Sequence, residues 1–427
     1  MATAVETNQT TPLAAYHARM KLKQTPGDFR VEELTAVRPS AGEFAYYQLD
    51  KVGWTTPDAL QIVCRKWQLP WDALSYGGLK DRHADTTQYL TVYRGPRRDL
   101  AEQRMDLIYL GQIPHPYSSR DIAANRFIVA VRHLLPSDET ALLAAVADMR
   151  SVGLPNYFDD QRFGSVTADG QFIGRELTFG RFEVALKLAL AAPYAFDRAE
   201  TKDEKRILTE HWGDWGRCKA TLPRGHARSL VTYLADHPTD FRGAIARLRP
   251  ELQGMYLSAF QSDLWNRMLA RWLTANLPAA DLGGIDLHRG RLPVPVSVSA
   301  ELLPRWRDLV LPLPCARLKP DPAADWNAHA EAVLTEEGLT LKALKVPGLN
   351  KPFFSKGDRR ACLRPDALAA DPAPDDLNPG RRKVTLRFDL PRGCYATMVV
   401  KRLTAQNLDA PAADLASQQH SPSEEFP

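Results

Sequence analysis

One charged loop of this chain carries the residue types that carboxylate chemistry requires. Residues 77–88 read GGLKDRHADTTQ, so Asp81 lies between Lys80 and Arg82, and the alternating run 89–93 follows. Positive charge beside an acid favours the ionised form, so Asp81, with an ordinary pKa of about 3.9, is expected to be a carboxylate at neutral pH. Such a group serves as a nucleophile or a general base.

The loop has two possible interpretations, a site for that chemistry or an ordinary surface turn. Lys-Asp-Arg runs are most often solvated, so the composition of the loop alone favours a turn. A second acid, Asp85, lies four residues after Asp81 and is expected to affect its pKa. The paired glycines Gly77 and Gly78 permit a close backbone approach, which suits a loop that binds a substrate.

The loop resembles a signature of the tRNA pseudouridine synthase D (TruD) family. Its matching residues are Gly78, Lys80, Asp81, Arg82, Ala84, Thr86 and Gln88. Further segments are similar to the family's motifs in the family's order, and they are Lys23 to Glu33, Asn125 with Phe127, Gly153 to Gly164, and Cys394 to Leu403. The chain departs from the family's pattern at Asp85, Asp159 and Cys394, where an apolar residue, a glycine and a serine are usual.

The resemblance implies a function and a set of site residues. The function is isomerisation of uridine to pseudouridine in tRNA, at uridine 13, without a cofactor or a metal. The implied site consists of the catalytic carboxylate Asp81 and the substrate-binding residues Lys23, Phe29, Lys80, Arg82, Asn125 and Phe127. The three basic residues would keep Asp81 ionised or bind a phosphate, and the aromatic rings would stack on an extruded base.

The chemistry of Asp81 leaves two routes open. The carboxylate attacks the sugar or the base, or it removes the ribose C2′ proton to give a glycal. The sequence has no G-x-x-x-x-G-K-[ST] phosphate loop, no H-E-x-x-H zinc motif and no G-x-S-x-G nucleophile elbow, which agrees with a reaction that needs none of them.

Residue patterns predict the elements that position this site. Thr56, Pro57 and Asp58 are typical of a helix start, with the Thr56 hydroxyl as the cap. The stretch from Leu363 to Gly380 is rich in proline and aspartate and is predicted to be a linker or exposed loop. Alternation predicts strands near residues 29–34, 43–49, 89–93, 125–131 and 383–390, and helical spacing or capping signals predict helices over 136–152 and around 257–268 and 394–403.

These elements and the resemblance together predict an α+β fold. A pseudouridine-synthase-type catalytic domain, with a mixed, largely antiparallel sheet and flanking helices, is expected over residues 19–155 and 363–408. An inserted α/β TRUD domain is expected over residues 156–362, of which 280–350 resembles no known motif. Residues 1–18 and the acidic tail 409–427 are predicted to be flexible.

Composition limits the class of protein. The 427 residues include 44% apolar and 25% charged residues, as in ordinary globular proteins, and no apolar run reaches the roughly 20 residues of a membrane span. Five widely spaced cysteines predict reduced thiols and a cytoplasmic location. The net charge is +4, and the tail 409–427 holds four acids and no base, so the preceding residues carry +8, which favours a polyanionic partner such as tRNA.

Two other functions stay open on the sequence alone. A non-catalytic RNA-binding or folding factor could use the same scaffold, although the Asp81 motif argues against it. A carboxylate-dependent glycosidase or phosphotransferase would require a second acid or metal-binding carboxylates, and Asp85 is the nearest acid in the sequence.

Overall fold

The computed structural model describes residues 20–194 and 197–405, so the predictions for residues 1–18 and 409–427 fall outside the described residues. The strands are β1 (Phe29–Thr35), β2 (Phe44–Val52), β3 (Leu74–Tyr76), β4 (Asp85–Tyr93), β5 (Leu100–Glu102), β6 (Met105–Ile113), β7 (Ile122–Leu134), β8 (Leu154–Pro155), β9 (Leu282–Leu287), β10 (Gly290–Pro295), β11 (Val310–Pro312), β12 (Asp358–Arg360), β13 (Cys362–Leu363), β14 (Asp366–Pro374) and β15 (Arg382–Leu390).

Helices occur along the whole described chain and are named in chain order. They are α1 (Thr56–Trp67), α2 (Pro136–Val152), α3 (Ile173–Thr178), α4 (Phe182–Leu190), α5 (Ala199–Glu210), α6 (Trp215–Thr221), α7 (His226–Asp236), α8 (Phe241–Ala246), α9 (Pro250–Asn276), α10 (Leu302–Asp308), α11 (Asn327–Glu336) and α12 (Ala396–Thr404). Within the described ranges, none of these helices combines the length and the apolar character needed to cross a bilayer.

The described residues form two compact units. One contains the chain up to Gly153 and resumes at Arg364, and the other is the intervening segment from Leu154 to Leu363. The first unit is therefore built from both ends of the chain. It contains every residue of the site that the sequence predicts.

The first unit is organised around one mixed sheet of nine strands. Its order is β14, β15, β7, β1, β4, β2, β6 and β5, with β3 paired to β4 as well. Strands β1 and β4 are parallel, and the other pairs in this sheet are antiparallel. The predicted α+β class with a largely antiparallel sheet is confirmed.

The parallel pair determines where the charged loop lies. Arg30 of β1 is opposite Asp85 of β4, so the two strands begin at the same end of the sheet. Asp81 lies in the segment that immediately precedes β4. This segment is therefore at the same end of the sheet as Phe29, the first residue of β1. The helix α1 covers β2, β4 and β6 through its buried residues Ala59, Leu60 and Val63.

The predicted linker between Leu363 and Gly380 is wrong, because residues 366–374 form strand β14. This strand is at the end of the sheet order and pairs with β15 on one side only. Proline lacks a backbone donor but is tolerated on an edge strand, where one row of donors has no ladder to join. Pro372 and Pro374 are therefore compatible with a strand at this edge position, although proline in general disfavours strands.

The strand predicted over 383–390 is confirmed as β15. Its alternating residues Val384, Leu386, Phe388 and Leu390 are fully buried. Strict alternation over a whole strand is the pattern of a sheet with one buried face, and it places Phe388 on the same face as its neighbours in β7.

The second unit is mainly helical. Its longest helix, α9, contains the buried residues Phe260, Trp265 and Trp272, and packs against α3 and α11. Three two-stranded sheets accompany the helices, pairing β9 with β10, β11 with β12 and β8 with β13. The segment 280–350 supplies β9, β10, α10, β11 and α11 to this unit.

Candidate active site

Asp81 forms an ion pair at the end of the sheet where β1 and β4 begin. Lys23 Nζ donates to Asp81 Oδ2 at 2.6 Å, and the two side chains are 31% and 40% exposed. The other carboxylate oxygen, Oδ1, accepts the backbone N–H of His83 at 2.9 Å. Both oxygens of Asp81 are therefore held while the group is still accessible to solvent.

The balance of these contacts keeps Asp81 ionised. Partial burial raises the pKa of its carboxyl, but the hydrogen bonds from Lys23 and from the His83 backbone outweigh that effect and lower the pKa below its ordinary value. Burial, Lys23 and His83 are thus the influences that set this pKa. Asp85, which was expected to disturb it, begins strand β4 and lies opposite Val52 and Arg30.

A row of three aromatic rings begins at this ion pair. Lys23 Nζ is 4.2 Å from the centre of the Phe29 ring, which in turn meets the Phe127 ring edge to face at 6.2 Å. Phe127 stacks on Phe388 with ring centres 5.6 Å apart. The series from Asp81 through Lys23 and Phe29 to Phe127 is therefore one continuous set of contacts.

Lys80 and Asn125 form a second group on the same sheet. Lys80 Nζ is 2.9 Å from Glu33 Oε1 and donates to Asn125 Oδ1 at 2.6 Å. Glu33 and Asn125 are opposite each other in the β1 and β7 ladder, so their side chains share a face. The structure thus joins Lys80 to Asn125 rather than to Asp81.

Thr56 and Gln88 anchor the loop through hydrogen bonds. The Lys80 backbone N–H donates to Thr56 Oγ1 at 3.0 Å, and the same hydroxyl donates to Gln88 Oε1 at 2.9 Å. The helix cap predicted at Thr56 is wrong by one residue, because Thr55 Oγ1 accepts the Asp58 backbone N–H and caps α1. The Thr56 hydroxyl therefore stabilises the loop instead of the helix.

Arg82 and the buried Lys51 join the loop to the end of β2. Arg82 Nε donates to the Gly53 carbonyl at 3.1 Å. Lys51 Nζ donates to the carbonyls of Trp54 and Asp81 at 2.8 and 3.2 Å. Burial lowers the pKa of Lys51 to about 8, although the Asp81 carboxylate opposes this shift.

The segment that carries Lys23 is fixed by a buried arginine. The backbone of Lys21 exchanges hydrogen bonds with that of Arg132 in β7 at 3.1 and 3.0 Å. The Arg132 guanidinium donates to the carboxylates of Asp28 and Asp375 at 2.8 Å. Lys23 itself has a φ of 53°, so a left-handed backbone turn directs its side chain.

Sequence reasoning did not assign site roles to Glu33, Lys51 or Arg132. A signal for the first two was present, since each falls on an inward-facing position of an alternating strand. A charged residue at such a position requires a buried partner. The partners of Arg132 lie more than 100 residues away in the chain, and no local pattern indicates them.

Comparison with known structures gives the class of the fold. A crystal structure of a Methanosarcina mazei protein, assigned as a tRNA pseudouridine synthase D (TruD), matches with a TM-score of 0.69 and 26% sequence identity. The match covers 90% of this chain and 93% of that one. The mixed sheet and the loop that ends at β4 therefore belong to a fold of the pseudouridine synthase class.

Sequence comparison then gives the family. The model of the tRNA pseudouridine synthase D (TruD) family matches residues 14–286 and 308–403. The Probable tRNA pseudouridine synthase D 2 of Methanocaldococcus jannaschii is 31% identical over 401 residues, which cover 91% of this chain and 93% of that protein. The tRNA pseudouridine synthase D of Leptospira interrogans is 29% identical, with coverages of 90% and 95%. This chain belongs to the TruD family, a family of isomerases.

Proposed function

We propose that this protein converts uridine to pseudouridine in tRNA, at uridine 13, with Asp81 as the catalytic carboxylate. The observation that carries the proposal is the position of Asp81, which is ionised by Lys23, whose ammonium group also contacts the Phe29 ring that meets Phe127. An accessible carboxylate beside aromatic rings suits chemistry on an extruded base. Membership of the TruD family supports the same substrate class.

The reaction requires one bond to break and another to form at the same sugar carbon. The bond between N1 of uracil and C1′ of ribose breaks, the base turns, and C5 bonds to C1′. The C5 proton is lost to solvent and N1 gains a proton, so no redox change occurs. Asp81 can act by attack on C1′ or on the base, or by taking the C2′ proton, and each route requires the ionised form that Lys23 favours.

The remaining site residues have roles that follow from their contacts. Phe127, which is half-buried, and Phe29, which is 8% exposed beside it, are assigned to stacking on the turning base, and stacking of this kind stabilises a base by about 1–3 kcal/mol. Lys23 keeps Asp81 ionised. The exposed Arg82 is available for a phosphate, while its Nε is bound to Gly53.

The proposal also assigns the two units. The first unit is the catalytic domain, because it holds Asp81 and its partners, and the segment 154–363 is the inserted domain of the family. A cytoplasmic location is part of the proposal and rests on the odd number and wide spacing of the cysteines.

Replacement of Asp81 tests the proposal. The wild-type protein should release tritium from position 5 of uridine in a tRNA transcript, and a transcript with cytidine at position 13 should release none. Asp81→Asn keeps the shape of the side chain and should reduce the rate at least about 1000-fold, with tRNA affinity largely retained. Normal product from Asp81→Asn would exclude Asp81 as the catalytic group.

A non-catalytic RNA-binding factor gives a different result in the same assay. Such a protein would bind the transcript without any release of tritium from the wild type. Activity on free nucleosides or sugars but not on tRNA would instead indicate a glycosidase.

A further inference from the structure

Lys80 has buried partners for both its side-chain ammonium group and its backbone N–H. Its ammonium group is 2.9 Å from Glu33 Oε1, and the two side chains are only 11% and 0% exposed. The other carboxylate oxygen of Glu33 accepts the backbone N–H of Tyr89 at 3.0 Å. The Lys80 backbone N–H is bound to Thr56. The position of the Lys80 ammonium is therefore fixed by the fold.

This ammonium determines which way the Asn125 amide points. A lysine ammonium has three donors and no acceptor, so only the amide oxygen can face it. Lys80 Nζ donates to Asn125 Oδ1 at 2.6 Å in agreement with that requirement. The two hydrogens on Asn125 Nδ2 must then point away from Lys80.

The freed donors lie on the face that carries the aromatic rings. Asn125 and Phe127 are two residues apart on β7, so their side chains emerge on the same face. Phe127 meets Phe29, whose ring contacts the lysine that binds Asp81. Asn125 itself is only half-buried.

We infer that Lys80 is a positioning residue that makes Asn125 a hydrogen-bond donor to the target nucleotide. The inference rests on the proposed function. Asn125 Nδ2 donates to an acceptor of the extruded nucleotide, either a uracil carbonyl or the ribose 2′-hydroxyl. Lys80 does not bind phosphate, because moving its ammonium outward would leave the Glu33 carboxylate buried without a partner, which is strongly unfavourable.

The test removes the Lys80 head group without leaving a buried charge. The double variant Lys80→Met with Glu33→Gln should lower kcat about 10- to 100-fold, as loss of one oriented hydrogen bond would. The salt dependence of tRNA binding should be unchanged, because no phosphate contact is lost. The matched control, Lys66→Met with Glu102→Gln, neutralises an exposed ion pair of the same unit and should retain wild-type kcat.

Adding Asn125→Ala tests the coupling between the two residues. If Lys80 acts through Asn125, the triple variant should be no slower than Asn125→Ala alone. Independent, multiplying losses would overturn the inference. So would weaker tRNA binding with a salt slope reduced by about 1 in the double variant, because that is the signature of one lost phosphate contact.

A modified substrate identifies the acceptor. Affinity is compared for tRNA carrying uridine or 2′-deoxyuridine at the target position. If Asn125→Ala weakens binding of both, the acceptor is a base carbonyl, and if it weakens binding only of the ribose form, the acceptor is the 2′-hydroxyl. Equal binding of each tRNA by wild type and variant would overturn the donor role.

The two proposals can fail separately. Activity of Asp81→Asn would disprove the catalytic assignment, whatever Lys80 does. An inactive Asp81→Asn together with a phosphate-like salt effect at Lys80 would disprove only the positioning role.

Discussion

Two lysine–carboxylate pairs formed by adjacent loop residues differ in their surroundings. Lys80 pairs with Glu33 inside the sheet, where neither side chain has much contact with water. Asp81 pairs with Lys23 at the sheet end where β1 and β4 begin, and these side chains are 40% and 31% exposed. The two distances, 2.9 and 2.6 Å, are nearly the same.

Burial rather than distance separates the functions of these pairs. A buried pair cannot lose one partner without leaving a desolvated charge, so it is suited to fixing geometry. An exposed pair is screened by water and contributes little to stability, so its members can exchange partners when a substrate arrives. The loop thus places a buried, rigidly held lysine next to an aspartate that is accessible to solvent.

The largest expected effect comes from breaking the buried pair. Lys80→Met should reduce the free energy of unfolding by about 3–5 kcal/mol, because Glu33 would be left as an unpaired buried charge. Urea-induced unfolding measures this change. Adding Glu33→Gln should restore most of the stability, and a double variant as unstable as Lys80→Met would contradict the explanation.

A smaller effect concerns the pH dependence of stability at Lys51. Its pKa is about 8 in the folded protein but near the ordinary 10.5 in the unfolded chain. Between these values the unfolded chain binds more protons, so stability rises with pH. From pH 8 to pH 10 the wild type should gain about 2 kcal/mol relative to Lys51→Met. Parallel unfolding curves for the two proteins would show that Lys51 titrates normally.

The exposed pair should control the acidic side of the pH profile. Lys23 lowers the pKa of Asp81, so the ionised form persists as the pH falls, until the pH reaches that lowered pKa. In Lys23→Met, burial still raises the pKa and its main opponent is gone. The acidic limb of kcat should therefore move to higher pH. Lys66→Met serves as the control, and an unmoved limb in Lys23→Met would separate Lys23 from Asp81 ionisation.

The smallest expected effect is on stability at the exposed pair. Lys23→Met should change the free energy of unfolding by no more than about 1 kcal/mol, because solvent screens the ion pair. The same urea measurement applies. A loss as large as that of Lys80→Met would remove the contrast between the two pairs.

Local pattern predicted part of this fold well. Strict alternation located β15, and the capping sequence located α1 to within one residue of its cap. Strand β14 was missed because proline and aspartate locally disfavour a strand. They are tolerated in β14 only because this strand lies at the edge of the sheet. The elements that were predicted correctly are those whose structure is determined by residues within the same short segment.

The motifs predicted a set of site residues but could not predict the contacts among them. The motifs indicated Lys80 and Arg82 as partners of Asp81, because all three are neighbours in sequence. In the fold Lys80 faces Glu33 and Asn125, and Arg82 reaches Gly53. Side chains of consecutive residues in a loop diverge, and long-range pairing decides which groups they meet.

Chain order has a consequence for biosynthesis. The Asp81 loop is made early, but Phe388, which supports Phe127, and Asp375, which binds Arg132, are separated from their partners by more than 200 residues. A ribosome adds these residues only after the entire intervening unit. The nascent chain therefore contains Asp81 long before it contains strands β14 and β15, and an incomplete polypeptide lacks the contacts that Asp375 and Phe388 make with the candidate site.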